Sequence, residues 1–263
     1  MATVKDIFTF FENKVPTKMK MEHDNCGFLV GNGAKEVKKI LVVLDITDEV
    51  ISEAIDIHAD LILSHHPLFF SITSASTETL IGRKVVSMLN NGISAICLHT
   101  NLDAVEGGVN DALMHTLGVE TLGILDAYGK NVDGSSFGIG RYGTIERMLL
   151  PNFLSHCKDA LQCNGLRYVD GGKPVHKVAV CGGSGSSMLQ LVADLGCDTF
   201  VTGDVKHNGF LDAKELGINL IDAGHFSTEN VVVPVLKSML NQAFPEIVTE
   251  ISYTHHQPEQ YYL

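Results

Sequence analysis

The sequence predicts an α/β protein: two β-α-β-α-β lobes forming a layered α/β sandwich. Three observations predict it. Continuous apolar runs such as KILVVLD (39–45) and LILS (61–64) read as strands buried on both faces. These runs alternate with segments of helical period, which implies parallel strands and right-handed crossovers. The same alternation returns in the second half, as repeated architecture without a close sequence repeat.

Val4, Ile7, Phe8, Phe11 and Val15 share one face of a first helix, with Thr3 as its N-cap and Asp6 three positions on. TKMKMEHDNC (17–26) is polar and reads as loop, with Asp24 and Asn25 as turn formers. A short strand over 27–30 and the strand at 39–45 follow. Thr47 caps a helix to about Ala59, with Asp48 and Glu49 in its first turn. The strand at 61–64 ends in His65, His66 and Pro67. Pro67 stops the strand and keeps His66 extended, where neighbouring side chains alternate in direction. A helix over about 77–91 ends at Gly92, and Ile93–Leu98 is a strand leading into HTNLD (99–103), read as loop. GGVNDALMHTLG (107–118) is a glycine-rich turn entering a helix.

Residues 119–172 are less regular: FGIGRYG (137–143) is strand or turn, and Pro151 starts a helix to about Gln162. Strands at 178–181, 198–202 and 219–222 build the second block, with helices to about Leu195 and Leu216 between them. A helix over 228–240 is interrupted by Pro234, and 247–253 is a last strand. The expected lobes are 1–125 and 126–263.

The chain has 263 residues, 45% of them hydrophobic, and a formal charge of −12. An acidic balance argues against nucleic-acid binding, which needs a basic footprint, and suits a protein that holds divalent cations. No apolar run approaches the ~20 residues of a membrane span. The N-terminus lacks the apolar core of a secretory signal, because Asp6 and Glu12 interrupt it. Six cysteines without a C-x-x-C pair read as buried thiols in a reducing cytoplasm.

In open α/β sheets, ligands bind beyond the carboxyl ends of the strands, and the polar residues gather there. His65 and His66 follow one strand. His99 and Asp103 follow another, Thr202, Asp204 and His207 a third, and His225 and Glu229 the last of the second block. His, Asp and Glu without thiols suit Zn, Fe, Mn, Co or Ni, and carboxylates can bridge two such ions. Spaced by four, His225 and Glu229 share a face if they lie on a helix. Each has a plainer account by itself: Asp103 in an Asx-turn, His225 and Glu229 in a helix cap. GGSGSS (182–187) can present amides to an anion, or be only a tight turn, since Met188 replaces the third glycine of a dinucleotide fingerprint. His255 and His256 read as solvated.

LILSHHPLFF, HTNLDAVEGGVND, TGDVKH and DAGHFSTE, in this order along nearly the whole chain, resemble the Nif-three-like dinuclear-metal-centre family. Many of its members carry the label type-two GTP cyclohydrolase I. The resemblance implies two α/β lobes around a metal-lined cleft and two divalent ions per chain. It implies His65, His66, Asp103, His225 and Glu229 as their ligands. It also implies a toroidal homohexamer and a small-molecule substrate, a nucleotide among the candidates. About 60 residues separate GGVND from VAVCGG, too few for the ferredoxin-like insertion of longer relatives. The function expected is a metal-dependent hydrolase using a metal-activated water. The alternative is a metal-handling or regulatory binding protein without turnover. His99 is then a group that orients water or moves a proton, or a support for the ligands.

Overall fold

The computed structural model describes residues 1–262. In chain order the elements are α1 (Val4–Lys14), β1 (Gly27–Val30), β2 (Lys39–Val43), α2 (Asp48–Asp56), β3 (Leu61–Ser64), α3 (Leu80–Asn90), β4 (Ser94–Cys97), α4 (Thr100–Ala104) and α5 (Val109–Thr116). Then come β5 (Glu120–Lys130), β6 (Ser136–Met148), α6 (Leu150–Ala160), β7 (Arg167–Val169), β8 (Val175–Ser184) and α7 (Leu189–Asp194). The chain closes with β9 (Thr199–Gly203), α8 (His207–Leu216), β10 (Asn219–Asp222), α9 (His225–Glu229), α10 (Val233–Ala243) and β11 (Val248–Ile251). It is a mixed α/β fold with two sheets, as the alternating pattern predicts.

The chain divides into two compact units. One comprises residues 1–102 and 233–256, the other 103–232 and 257–262. The division expected from sequence was 1–125 and 126–263. In the structure the last helix and strand return to the first unit, because β11 pairs in parallel with β2.

The first unit holds a five-stranded sheet of order β1-β4-β3-β2-β11. β2, β3, β4 and β11 are parallel, and β1 closes the β4 edge antiparallel. Every residue of β3 and β4 is buried, which is why both read as unbroken apolar runs. Leu41, Val43, Ile62 and Ala95 of this sheet pack on Val50, Ile51 and Ala54 of α2 and on Val85 and Met88 of α3. α1 carries the expected cap: Thr3 accepts from the Asp6 N–H, and the Asp6 side chain accepts from the Thr3 N–H.

The second unit holds a six-stranded sheet of order β5-β6-β8-β9-β10-β7. Only β8, β9 and β10 are parallel; the rest pair antiparallel. The simple β-α-β-α-β block expected here is therefore extended by a long hairpin, β5 and β6, across the stretch that looked irregular. Its glycines hid it. A Cβ on Gly138 would stand 2.0 Å from the Asp126 carbonyl oxygen, so the close strand pairing itself requires glycine there. The helical run expected over 228–240 is interrupted: a 3-10 turn over Asn230–Val232 separates α9 from α10, and Pro234 stands in the first turn of α10. Among the described residues, no helix is long and apolar enough to cross a membrane.

Candidate metal centre

In the first unit, three histidines stand at the carboxyl ends of β3 and β4. His65 is fully buried, and its Nδ1 lies 2.8 Å from the Leu98 carbonyl oxygen. The Nδ1 of His66 lies 2.7 Å from Oδ1 of Asp45, and the Nδ1 of His99 lies 2.6 Å from Oδ1 of Asp24. An acceptor beside each Nδ1 puts the ring proton there and the lone pair on Nε2. Carboxylate or carbonyl on one ring nitrogen and metal on the other is the usual arrangement of a metal-binding histidine. Each of the three offers a ring nitrogen, and these nitrogens lie within 4.8 Å of one another. The ring centroids of His65 and His66 are 5.0 Å apart. Strand alternation therefore ends with Ser64, the last residue of β3.

Asp24 is more than the turn former that sequence suggested. It is buried, and burial by itself disfavours its charge. Hydrogen bonds from His99 and from Thr100 outweigh that and hold the carboxyl well below the usual carboxylate range. Its Oδ2 accepts from the Thr100 hydroxyl at 2.6 Å and the Thr100 N–H at 3.2 Å. A buried, ionised carboxylate thus fixes the His99 ring.

In the second unit, His225 and Glu229 lie on α9, one turn apart on the same face, as their spacing predicts. Asp204 approaches the His225 Nδ1 to 2.7 Å, and Oε2 of Glu229 approaches its Nε2 to 3.0 Å. With both ring nitrogens facing carboxylates, only an extra proton or a cation reconciles the pair. A spacing of 3.0 Å is that of a hydrogen bond from a protonated ring, and the two atoms face one another closely enough to share a cation. Asp103 is buried on α4, a five-residue helix where sequence suggested loop. Asn110 links it to the glycine-rich turn: its Nδ2 donates to the Asp103 carbonyl at 3.0 Å, and its Oδ1 accepts from the Gly182 N–H at 3.0 Å.

Within the GGSGSS run, Gly183 stands against Glu229 and His225. Gly183 has φ +62°, and a Cβ there would stand 2.2 Å from Oε1 of Glu229 and 3.1 Å from Cε1 of His225. Thr202 pins the turn, accepting from the Gly185 N–H at 2.9 Å and donating to the Gly183 carbonyl at 3.0 Å. His207, grouped with Asp204 by sequence, is exposed on the first residue of α8.

Sequence reasoning missed the three aspartates as histidine partners. Asp204 was noted only as a strand-tip residue, and Asp45 as the end of an apolar run. The reading of His255 as solvated is also corrected: its Nε2 accepts from the Leu44 N–H at 3.1 Å. His256 is exposed, as expected. All six cysteines are buried, and no disulfide joins them among the described residues. Burial pushes the thiols of Cys26 and Cys197 up to about 11.

Residues 2–259 match the Duf34/NIF3 (NGG1p interacting factor 3) family. A GTP cyclohydrolase 1 type 2 homolog of Clostridium perfringens is 39% identical over 229 residues, 86% of each chain. A homolog of the same name from Clostridium acetobutylicum is 37% identical over 243 residues, covering 91% of this chain and 90% of that one. Among solved structures, a Bacillus cereus protein related to NIF3 superposes with a TM-score of 0.92 at 24% identity, covering 100% of this chain and 99% of that one. The Staphylococcus aureus hypothetical protein SA1388 superposes with a TM-score of 0.89 at 29% identity, covering 99% of each.

Proposed function

The chain belongs to the Duf34/NIF3 family, and on that footing we propose that it is a dinuclear-metal hydrolase acting on a nucleotide or similar heterocycle. The ligands in this reading are His65, His66, Asp103, His225 and Glu229. They take two divalent ions drawn from Zn, Fe, Mn, Co and Ni. The observation that supports it best is the orientation of the histidines. His65, His66 and His225 each have an acceptor on Nδ1, so each presents the Nε2 lone pair to a cation.

When bound, such ions supply Lewis acidity and a nucleophile at neutral pH. The chain's own groups do the rest. Asp45 and Asp204 hold ring protons at Nδ1, which orients the rings and raises the basicity of Nε2. Asp103 and Glu229, with two oxygens each, would hold the ions from the carboxylate side. His99, held by ionised Asp24, would orient water or move a proton, or support the ligands beside it. The buried cysteines support a reducing, cytoplasmic setting. The homohexamer implied by the resemblance belongs to the same reading; light scattering should give six times the chain mass, and a monomer mass would remove that part.

The names of the Clostridium relatives support a nucleotide substrate. The hypothesis is opening of the imidazole ring of GTP by water, with release of formate. The test is GTP turnover by protein reconstituted with Zn, Mn, Fe or Co, following formate. Formate release that depends on metal supports the reading. Phosphate release alone would indicate a phosphohydrolase. No product with any of the four metals, while metal stays fully bound, would favour the metal-handling alternative.

A further inference from the structure

The C-terminal part of the first unit is fastened next to the strand tip that carries His66. Glu53 on α2 is 2% exposed, although it is a carboxylate. It accepts from the hydroxyls of Ser252 at 2.5 Å and Thr254 at 2.6 Å, and from the N–H groups of Tyr253 and Thr254, each at 3.1 Å. The Ser252 hydroxyl accepts in turn from the His255 N–H at 3.1 Å. Four donors on one buried carboxylate leave residues 252–255 little freedom.

This clasp delivers a ring to the end of β2. There the Nε2 of His255 accepts from the Leu44 N–H at 3.1 Å. The carbonyl of the same Leu44 accepts from the His66 N–H at 2.9 Å, and the next residue, Asp45, holds the His66 Nδ1 at 2.7 Å. Leu44 therefore touches His255 through its N–H and His66 through its carbonyl. The peptide before it is fixed by a side chain more than two hundred residues away in sequence, 211 to be counted from Leu44.

We propose that His255 is a positioning residue for His66: by fixing Leu44 it fixes both the backbone of His66 and the carboxylate that orients the His66 ring. The metal role of His66 rests on the function proposed above, but the positioning itself does not.

The experiment uses the full chain with ¹⁵N-labelled histidine rings, first without metal and then in a zinc titration. Wild type is compared with His255→Ala, His255→Gln and Glu53→Gln. In wild type His66 should show the single tautomer with its proton on Nδ1. In His255→Ala its ring signals should move toward a tautomer mixture, and zinc affinity should fall 10–100-fold. His255→Gln should restore both, because its amide oxygen can accept from the Leu44 N–H. If the alanine variant does not fold, Glu53→Gln, which only weakens the clasp, should shift the same His66 signals to a smaller extent. A merely structural role would lower Tm while leaving the His66 signals and zinc affinity as in wild type, and that result would overturn the proposal. Failure of glutamine to restore the signals in a folded variant would overturn it too. If wild type binds no zinc, the metal reading fails, and the ring signals still decide the positioning.

Discussion

Replacing Glu229 by alanine is expected to strip the protein of divalent metal. Glu229 is 4% exposed and meets the His225 Nε2 at 3.0 Å. Gly183 packs directly against it: a Cβ there would stand 2.2 Å from Oε1 of Glu229. His65→Ala should have a comparable effect, because it removes a fully buried ring from the set. The supporting aspartates should behave differently. Asp204→Asn keeps a side chain against the His225 Nδ1 but no charge, and should weaken binding by about 10–100-fold without abolishing it. Elemental analysis after dialysis separates the two classes. Unchanged stoichiometry in both Glu229→Ala and His65→Ala would sink the ligand assignment.

The second large effect is on stability. Arg141 on β6 is buried at 4% exposure and forks onto Asp111, Nε to Oδ1 at 2.9 Å and Nη2 to Oδ2 at 3.0 Å. Its other contacts are the carbonyls of Gly138 at 2.9 Å, Gly140 at 3.0 Å, Val105 at 3.1 Å and Ala104 at 3.5 Å. Asp111 also accepts from the Gly107 N–H at 2.9 Å, so the last residue of the GGVND motif ties the turn to the hairpin. Arg141→Ala leaves a part-buried carboxylate and four carbonyls without their cation, and should cost about 3–5 kcal/mol. Arg141→Lys should recover little, since one ammonium cannot reproduce the planar fork. Denaturant unfolding reads both variants. A loss below about 1 kcal/mol for the alanine variant would mean that water satisfies these groups, as at a surface pair.

The central strands were legible because burial on both faces leaves an unbroken apolar signature, as in β3 and β4. The histidines of the candidate centre were legible because they follow the ends of such strands. The hairpin was not. β5 is mostly exposed or half-buried along its length, and the glycines of β6 look like turn residues while serving close strand approach. α4 is five residues long, too short to show a helical period, so Asp103 read as loop. The aspartate partners escaped for a different reason. Asp45 lies 21 residues from His66, Asp24 lies 75 from His99, and Asp204 lies 21 from His225. No local pattern joins residues so far apart; only the folded chain does. His255 escaped in the same way, since a polar C-terminal segment gives no sign that Glu53 will clasp it.

Anomalous diffraction from crystals of protein purified without added metal tests the central claim most directly. The expected result is two peaks roughly 3.5–4 Å apart, as in two-metal sites. Bonds should run to Nε2, and never to Nδ1, of His65, His66 and His225, and to carboxylate oxygens of Asp103 and Glu229. A fully occupied ion bound through Nδ1, or a map without anomalous density at these side chains in protein that elemental analysis finds loaded, would contradict it.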